Sequence, residues 1–363
     1  MRRHLLCLLA LNAVGAACTD RNPTGPVPAF DLNLPGAGVP GVSVMSQNLY
    51  IGADVDVVIG ALASPDPGDD FPALLSAIET LGKTDFPARA RAVADKIAHA
   101  RPHAVGLQEV ENLNIDLTGL GLPVVIHLDF LAILQAELAA RGLHYTVAAQ
   151  VQNIVAAPFP GISLVDYDAL LLDTDRVTIG SAGGQNFAVN VGVVAPGVEL
   201  KRGWVWARVT IGGEPYTFVN THPEPDLGGA HLEGLRALQI GELVGTLAGD
   251  GRVIMLGDFN DVPGSLMHQV VMGAGFTDVW AALHPGAIGY TCCHLADLSD
   301  QIAAFSQRID YVFARGLGSP PGRALGQIDR FGEVPGDRVP GPAYPIWPSD
   351  HAGLVATLIQ PER

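Results

Sequence analysis

The chain has 363 residues, 48% of them hydrophobic and only 16% charged, with Gly 43 and Pro 27; it can bury a sizeable core as one large domain or two ordinary ones. Its formal charge of −16 comes without any Lys/Arg cluster, which excludes tight, sequence-independent polyanion binding by the protein surface alone. It does not exclude a nuclease, because a bound divalent cation can supply the positive charge that the chain lacks.

At the N-terminus, Met1-Arg2-Arg3 forms a basic start and Leu5 to Val14 an apolar stretch of signal-peptide length, followed by Gly15-Ala16-Ala17 before Cys18. This resembles a bacterial lipoprotein signal over residues 1–17, with Cys18 as the lipidated first residue. The usual aliphatic residue three before the cysteine is replaced by Gly15, so simple secretion stays open. Export from a bacterial cell is expected, either anchored through Cys18 or secreted. Residues 18–40 carry Pro23, Pro26, Pro28, Pro35 and Pro40 and read as a flexible tether. No later stretch reaches the roughly 18 uninterrupted apolar residues of a membrane span.

From there one domain is expected over 41–361. Strands are predicted at Val42–Gln47, Ala104–Gln108, Ala169–Leu172, Gly203–Val209, Tyr216–Asn220, Val253–Leu256, Ile309–Phe313 and Leu354–Ile359. Helices are predicted at Pro87–Ala100, Asp129–Arg141, Leu232–Leu247 and Ser265–Met272. Strands that follow one another without helices, as from Ala169 to Asn220, favour mixed or antiparallel pairing over a purely parallel doubly wound sheet. Residues 316–348, rich in Gly and Pro, read as a long loop; with Tyr344 and Trp347 they are the one modest candidate for a membrane-inserting element.

Export would remove Cys7 and lipidate Cys18, leaving Cys292-Cys293. Adjacent Cα atoms lie about 3.8 Å apart, below the usual disulfide range of about 4.4–6.8 Å. A strained vicinal disulfide and two free, partly buried thiols therefore both remain open, with a thiol–His294 metal site a weaker third reading.

Polar residues of chemical interest fall at strand ends. Asn48 follows the first predicted strand and could offer a carbonyl oxygen to a hard cation, or simply satisfy backbone groups there. Glu109 directly follows a run that should be buried, where a carboxylate is costly unless paired or metal-bound; Glu111 reads as a solvated loop acid. His222 ends another strong strand, where an imidazole beside acids can act near neutral pH. Asp258 and Asn260 stand two apart after an apolar run, so that an extended chain would point them to one side. Asp310 is an acid inside a strand, and Asp350 sits beside His351.

Taken in order, Gln47-Asn48, Gln108-Glu109, Asn220-Thr221-His222, Gly257-Asp258-Phe259-Asn260, Arg308-Ile309-Asp310-Tyr311 and Ser349-Asp350-His351 closely resemble the motifs of the endonuclease/exonuclease/phosphatase superfamily, the deoxyribonuclease I-like fold. The resemblance spans about 42 to 359. It implies an α/β (α+β) four-layer sandwich, two mixed β-sheets face to face with helices outside. It also implies a divalent-metal site, usually Mg²⁺, with Mn²⁺ or Ca²⁺ open; Glu109 resembles the principal ligand, with Asn48 and Asp350 nearby. Asp258 and Asn260 resemble the pair that orients the water and contacts the phosphate. His351 resembles the general base, alone or jointly with Asp258, and Asp310 the acid that fixes a catalytic imidazole. His222 resembles the second histidine of the deoxyribonuclease I and sphingomyelinase branches, which tilts the chain away from abasic-site endonucleases. No acid matching the usual partner of the terminal histidine is identifiable.

The expected protein is thus a monomeric, exported, metal-dependent phosphodiester hydrolase. Its expected substrate is nucleic-acid-like first, with a phospholipid head group or a phosphomonoester as alternatives. A non-catalytic surface binding protein on the same fold is the reading from a different class.

Overall fold

A computed structural model describes residues 41–227, 230–317 and 325–359. The export signal, Cys18 and the tether lie outside the described residues, as does the 318–324 part of the expected long loop.

The elements run β1 (Val42–Asn48), α1 (Val55–Leu62), α2 (Asp70–Thr84), α3 (Phe86–Ala100), β2 (Ala104–Gln108), β3 (Asn112–Asp116), β4 (Val125–Asp129) and α4 (Phe130–Ala140). Next come β5 (Tyr145–Ala156), β6 (Ile162–Asp173), β7 (Thr178–Asn186), β8 (Gly192–Ala195), β9 (Val198–Leu200), β10 (Gly203–Ile211) and β11 (Glu214–Thr221). The remainder is α5 (Glu233–Thr246), β12 (Val253–Asp258), α6 (Leu266–Gly273), β13 (Thr277–Asp278), α7 (Val279–Leu283), β14 (Asp310–Arg315), β15 (Leu325–Phe331), β16 (Val339–Pro340), β17 (Pro345–Ile346) and β18 (Gly353–Ile359).

Two mixed sheets result. One is ordered β15-β18-β1-β2-β6-β5-β9-β8, with β3 and β4 attached at β6; the other is β13-β14-β12-β11-β10-β7. Strand alternation sorts their apolar side chains into layers. Val44, Leu170 and Leu354 of the first sheet meet Val205, Phe218, Ile254 and Leu256 of the second in a shared core. Met45, Val105 and Leu171 face outward onto Ala90, Val93 and Ile97 of α3 and Leu134 of α4. On the far side, Val253 and Met255 pack on Ile240 and Leu243 of α5 and Met267 and Val271 of α6. The expected helix–sheet–sheet–helix sandwich is the observed fold.

The predicted strands and helices all form, most within a few residues of the expected bounds, while the strand expected at Ala169–Leu172 is the end of the longer β6, which starts at Ile162. Strands β3, β4, β5, β7, β8, β9 and β13 form outside the expected set, and three further segments differ. Helices α1 and α2 occupy a region read without structure, although Leu74 and Ile78 are buried at helical spacing. The segment read as the long loop contains β15, which pairs antiparallel with β18 from Leu325↔Ile359 to Phe331↔Gly353. Gly326 allows that pairing, since a Cβ there would lie 2.3 Å from the Thr357 carbonyl oxygen; read alone, the glycine looked like loop composition. Trp347 is fully buried and bonds through Nε1 to the Asp300 carbonyl, so it is a core residue and not a membrane-inserting one. No helix among the described residues is long and apolar enough to cross a membrane.

Candidate active site

Topology explains why the polar residues meet. β1 runs parallel to β2 with Asn48 beside Gln108, and β11 runs parallel to β12 with Thr221 beside Gly257. Their C-terminal ends therefore share one edge of the sandwich. β14 and β18 run antiparallel to these neighbours and begin at the same edge, which sets Asp310 opposite Asp258 and brings in Ser349-Asp350-His351.

A buried amide ties the two sheets together beneath that edge. Asn220 donates to the carbonyls of Leu107 (2.8 Å) and Ala169 (3.1 Å) and accepts from the Gln108 side chain. It reaches them because Gly106 has no side chain: a Cβ there would lie 2.6 Å from Asn220 Oδ1.

Three residues that turn out of strands here have left-handed backbones, Tyr50 at φ 55°, Glu109 at 52° and Asn260 at 51°. Such strain in non-glycine residues is held by surrounding structure and gathers at functional sites. Glu109 is held through both carboxylate oxygens, by the Ile51 N–H at 2.9 Å and the Asn48 amide at 2.9 Å. Arg89, fully buried, anchors the adjoining loops through the carbonyls of Leu49, Tyr50, Thr84 and Pro348.

Asp258 is the hub. Its Oδ2 lies 3.2 Å from Asn48 Nδ2, 3.5 Å from His222 Nε2 and 3.7 Å from His351 Nε2. Its Oδ1 accepts the Asn260 backbone N–H at 2.9 Å, while the Asn260 amide donates to the Pro223 carbonyl at 3.1 Å. The Asp258–Asn260 pairing thus arises from a turn closed by the aspartate, and not from strand alternation as expected. Asp310 Oδ2 lies 2.9 Å from His351 Nδ1. Asp310 is therefore the acid partner of the terminal histidine that the sequence left unidentified.

The electrostatics separate the two histidines. Burial pushes the His222 imidazole well below its ordinary range, with the positive charges of Arg202 and His351 adding to the shift. Burial acts the same way on His351, but Asp310, Asp350 and Asp258 outweigh it and hold that imidazole well above its ordinary range. Asp258 and Asp350 are each pushed up to about 7, chiefly by burial, against the opposing pull of His351.

Asn48 reaches the site differently from the expected ligand geometry. Its carbonyl oxygen accepts the Tyr50 N–H at 2.9 Å, and its amide nitrogen bridges Glu109 and Asp258. Glu109, Asp350, Asp258, Asn260, His222 and His351 all line one cleft of about 430 Å³. Asp258, Asp310 and His351 bring ligand atoms within 4.8 Å of one another.

Glu111 is a correction. It is 4% exposed, one carboxylate oxygen has no protein partner, and it belongs to a buried charged group with Asp166, Asp168, Glu224 and Arg202. The charges of Asp166 and Asp168 on β6 act on it, and it is a buried acid of the cleft wall, not one of a solvated loop. Sequence reasoning passed over Asp166 and Asp168, although acids at alternate positions of Leu164–Leu172 carried the same signal as Asp310. Arg202 was missed as well; it lies 3.6 Å from Asp166, 3.5 Å from Glu224 and 3.2 Å from His222 Nδ1.

Cys292 and Cys293 are joined as a vicinal disulfide at the cleft wall, where Cys292 pairs with His351 and Gln307. His294 does not face the sulfurs as a metal ligand: its nitrogens engage Asp300 Oδ2 at 2.6 Å and the Gly332 carbonyl at 2.9 Å, and its ring stacks on Trp347.

The sequence matches the Endonuclease/Exonuclease/phosphatase family over residues 80–351. The chain belongs to this family. As a member of the endonuclease/exonuclease/phosphatase family it is a hydrolase of phosphate esters. No curated protein matches the chain in sequence. Solved structures of the same fold include the family protein from Bacteroides vulgatus, at 18% identity and TM-score 0.54, covering 89% of this chain and 100% of that one. The human Nocturnin catalytic domain with bound sulfate aligns at 16% identity and TM-score 0.51, covering 88% and 93%. Humanized D. rerio TDP2 aligns at 18% identity and TM-score 0.50, covering 88% and 98%.

Proposed function

We propose that the protein is a divalent-metal-dependent phosphodiester hydrolase whose cleft activates a water beside Asp258. The observation that carries this reading is the Asp258 carboxylate, set within 3.7 Å of two imidazoles in opposite electrostatic environments.

Glu109 and Asp350 would hold the cation, with Asn48 close by. Their donors are all oxygen, the set that suits Mg²⁺, Mn²⁺ or Ca²⁺ over zinc. The fit has a physical basis: the Asp350 carboxyl is raised by burial and by the charge of Glu109, strain that a cation between them would relieve. When bound, the ion neutralises charge on the phosphoryl oxygens during in-line attack.

The chain's own residues supply the rest. Asp258 and Asn260 orient the water, and Asp258 takes its proton, with the charged His351 beside it favouring the ionised carboxylate. Asp310 holds His351 in place. His222, neutral, donates from Nε2 to a phosphoryl oxygen. The water oxygen bonds to phosphorus, the phosphorus–alcohol bond breaks, and the departing alkoxide takes a proton from solvent. The D. rerio TDP2 structure complexed with single strand DNA product, which shares this fold, supports a phosphodiester here.

The test is turnover of bis-p-nitrophenyl phosphate with and without chelator, in the protein and in Glu109→Ala and His351→Ala. Chelation and each substitution are expected to abolish turnover while the circular dichroism spectrum holds; wild-type rates in either variant refute the site. The export signal read over residues 1–17 supports a function outside the cytoplasm, anchored through Cys18 or secreted. Mass spectrometry of the mature N-terminus tests it, and an intact Met1 refutes it.

A further inference from the structure

The catalytic cleft abuts an apolar pocket of about 80 Å³ beneath α1 and α2. Ile51, Ala53, Val55, Ile59, Ile154 and Leu164 line both, so the two spaces share a wall. Every side chain around the inner pocket is hydrocarbon, from Leu74, Ala77 and Leu81 on the α2 side to Leu113, Ile115 and Val198 on the strand side. An aqueous ligand group gains nothing there, whereas an alkyl group leaves water for a surface already built of apolar atoms.

The cleft itself is charged against polyanions. Asp54, Glu109, Glu111, Asp166, Asp258 and Asp350 line it, and Arg202 is the only lysine or arginine among the described lining residues. Arg202 is moreover engaged by Asp166 and Glu224. A polynucleotide brings several phosphates, and those flanking the reacting one need basic partners that this cleft does not offer. One cation and two histidines suffice for a single phosphate.

Resting on the hydrolase reading above, we infer that the substrate is a single phosphodiester carrying an apolar arm, with its phosphate at Asp258 and its arm in the pocket beneath α1 and α2. The adjacency of the two cavities across one shared wall and the acidic lining of the outer one carry this together; neither alone selects the substrate. Among the substrates weighed from the sequence this selects an amphiphilic phosphodiester over a nucleic acid.

The test is a series of p-nitrophenyl phosphodiesters whose second alcohol is methyl, ethyl, butyl or hexyl, assayed with Mg²⁺ alongside a single-stranded oligonucleotide. Each buried methylene contributes up to about fourfold in kcat/KM, so butyl is expected to exceed methyl by about tenfold, within a ceiling of about sixtyfold. Ala77→Phe, which fills the inner pocket, is expected to bring the butyl-to-methyl ratio close to one. Leu81→Ala, which widens it, is expected to move the optimum towards hexyl. Methyl-ester turnover in the same preparations reports that the variants are folded. A flat series with the methyl ester still turned over overturns this inference and leaves the hydrolase standing, as does an oligonucleotide preferred over the butyl ester. No turnover of any ester overturns both.

Discussion

Arg202 sets its Nη1 3.2 Å from Nδ1 of His222. A guanidinium only donates, so Nδ1 must accept, and the neutral ring carries its proton on Nε2, facing Asp258 Oδ2 at 3.5 Å. His351 is arranged the other way, with Nδ1 on Asp310 and Nε2 towards the same Asp258 oxygen. One carboxylate oxygen therefore stands between a neutral imidazole and one held charged.

This fixes a tautomer, and the tautomer can be observed. Arg202→Lys keeps the positive charge between Asp166 and Glu224 but loses the fork that also reaches His222. Nitrogen-15 NMR is expected to show His222 in the Nε2–H form in the protein and a mixture in the variant. The rate constant kcat is expected to fall by about tenfold or more, towards the 10²–10⁴ attributed to a catalytic imidazole. A wild-type His222 protonated at Nδ1 would refute the assignment.

The Asp258 carboxyl makes the rate depend on pH in a defined direction. Burial lifts it to about 7, and the charges of Asp310 and Glu109 add to that, while His351 and the Asn260 N–H oppose. It accepts a proton only when ionised, so log kcat/KM is expected to rise with unit slope to about pH 7 and then level. Asp258→Asn removes the acceptor and is expected to abolish both rate and limb. A rate independent of pH between about 5 and about 8 would place the base elsewhere.

The sheets are joined through a space too small for a methyl group. Gly106→Ala would set a Cβ 2.6 Å from Asn220 Oδ1 and 3.1 Å from Leu256 Cβ. The Asn220 amide cannot retreat without releasing the carbonyls of Leu107 and Ala169. A loss of about 1–3 kcal/mol is expected from overpacking alone, read as a lower urea midpoint at unchanged slope. A midpoint equal to wild type would show that the inter-sheet amide is not held as tightly as its contacts indicate.

The motif residues were legible because each is a polar group where an apolar strand stops, and six such stops in one order are hard to reach by chance. Asp258, His222, His351 and Asp310 meet as that order implies. Arg202 and Glu224 were not legible, because they lie in connections whose placement only tertiary structure decides. Glu111 was misread for the same reason: nothing local says that the acids of β6 will act on it. The helices α1 and α2 escaped notice because Pro, Gly and Asp between them read as loop, yet they shape the apolar side of the cleft. Pattern marks where an element ends more surely than what will later pack over it.

Arg308, just before β14, carries stability through a buried ion pair. Its two terminal nitrogens donate to Asp278 at 2.9 and 2.7 Å, both residues being buried, and so tie the start of β14 to α7. Burial raises the Asp278 carboxyl, but hydrogen bonds from His268 and Arg308 outweigh it and hold the group at about 2 against its ordinary 3.8. A depressed carboxyl stabilises the fold when ionised. Its contribution, about 2 kcal/mol from the shift, is complete above the unfolded value near pH 4 and is lost as pH falls through 2. Arg308→Ala leaves that buried carboxylate with only the His268 ring and the Ala281 N–H as partners, for an expected cost of about 3 kcal/mol at neutral pH. Urea unfolding of both proteins between about pH 7 and pH 3 checks this: the gap is expected to be widest at neutral pH and to narrow on acidification, as the variant's carboxylate, without its guanidinium, takes up its proton first. A gap that widens towards acid would show that Arg308 acts through some other contact.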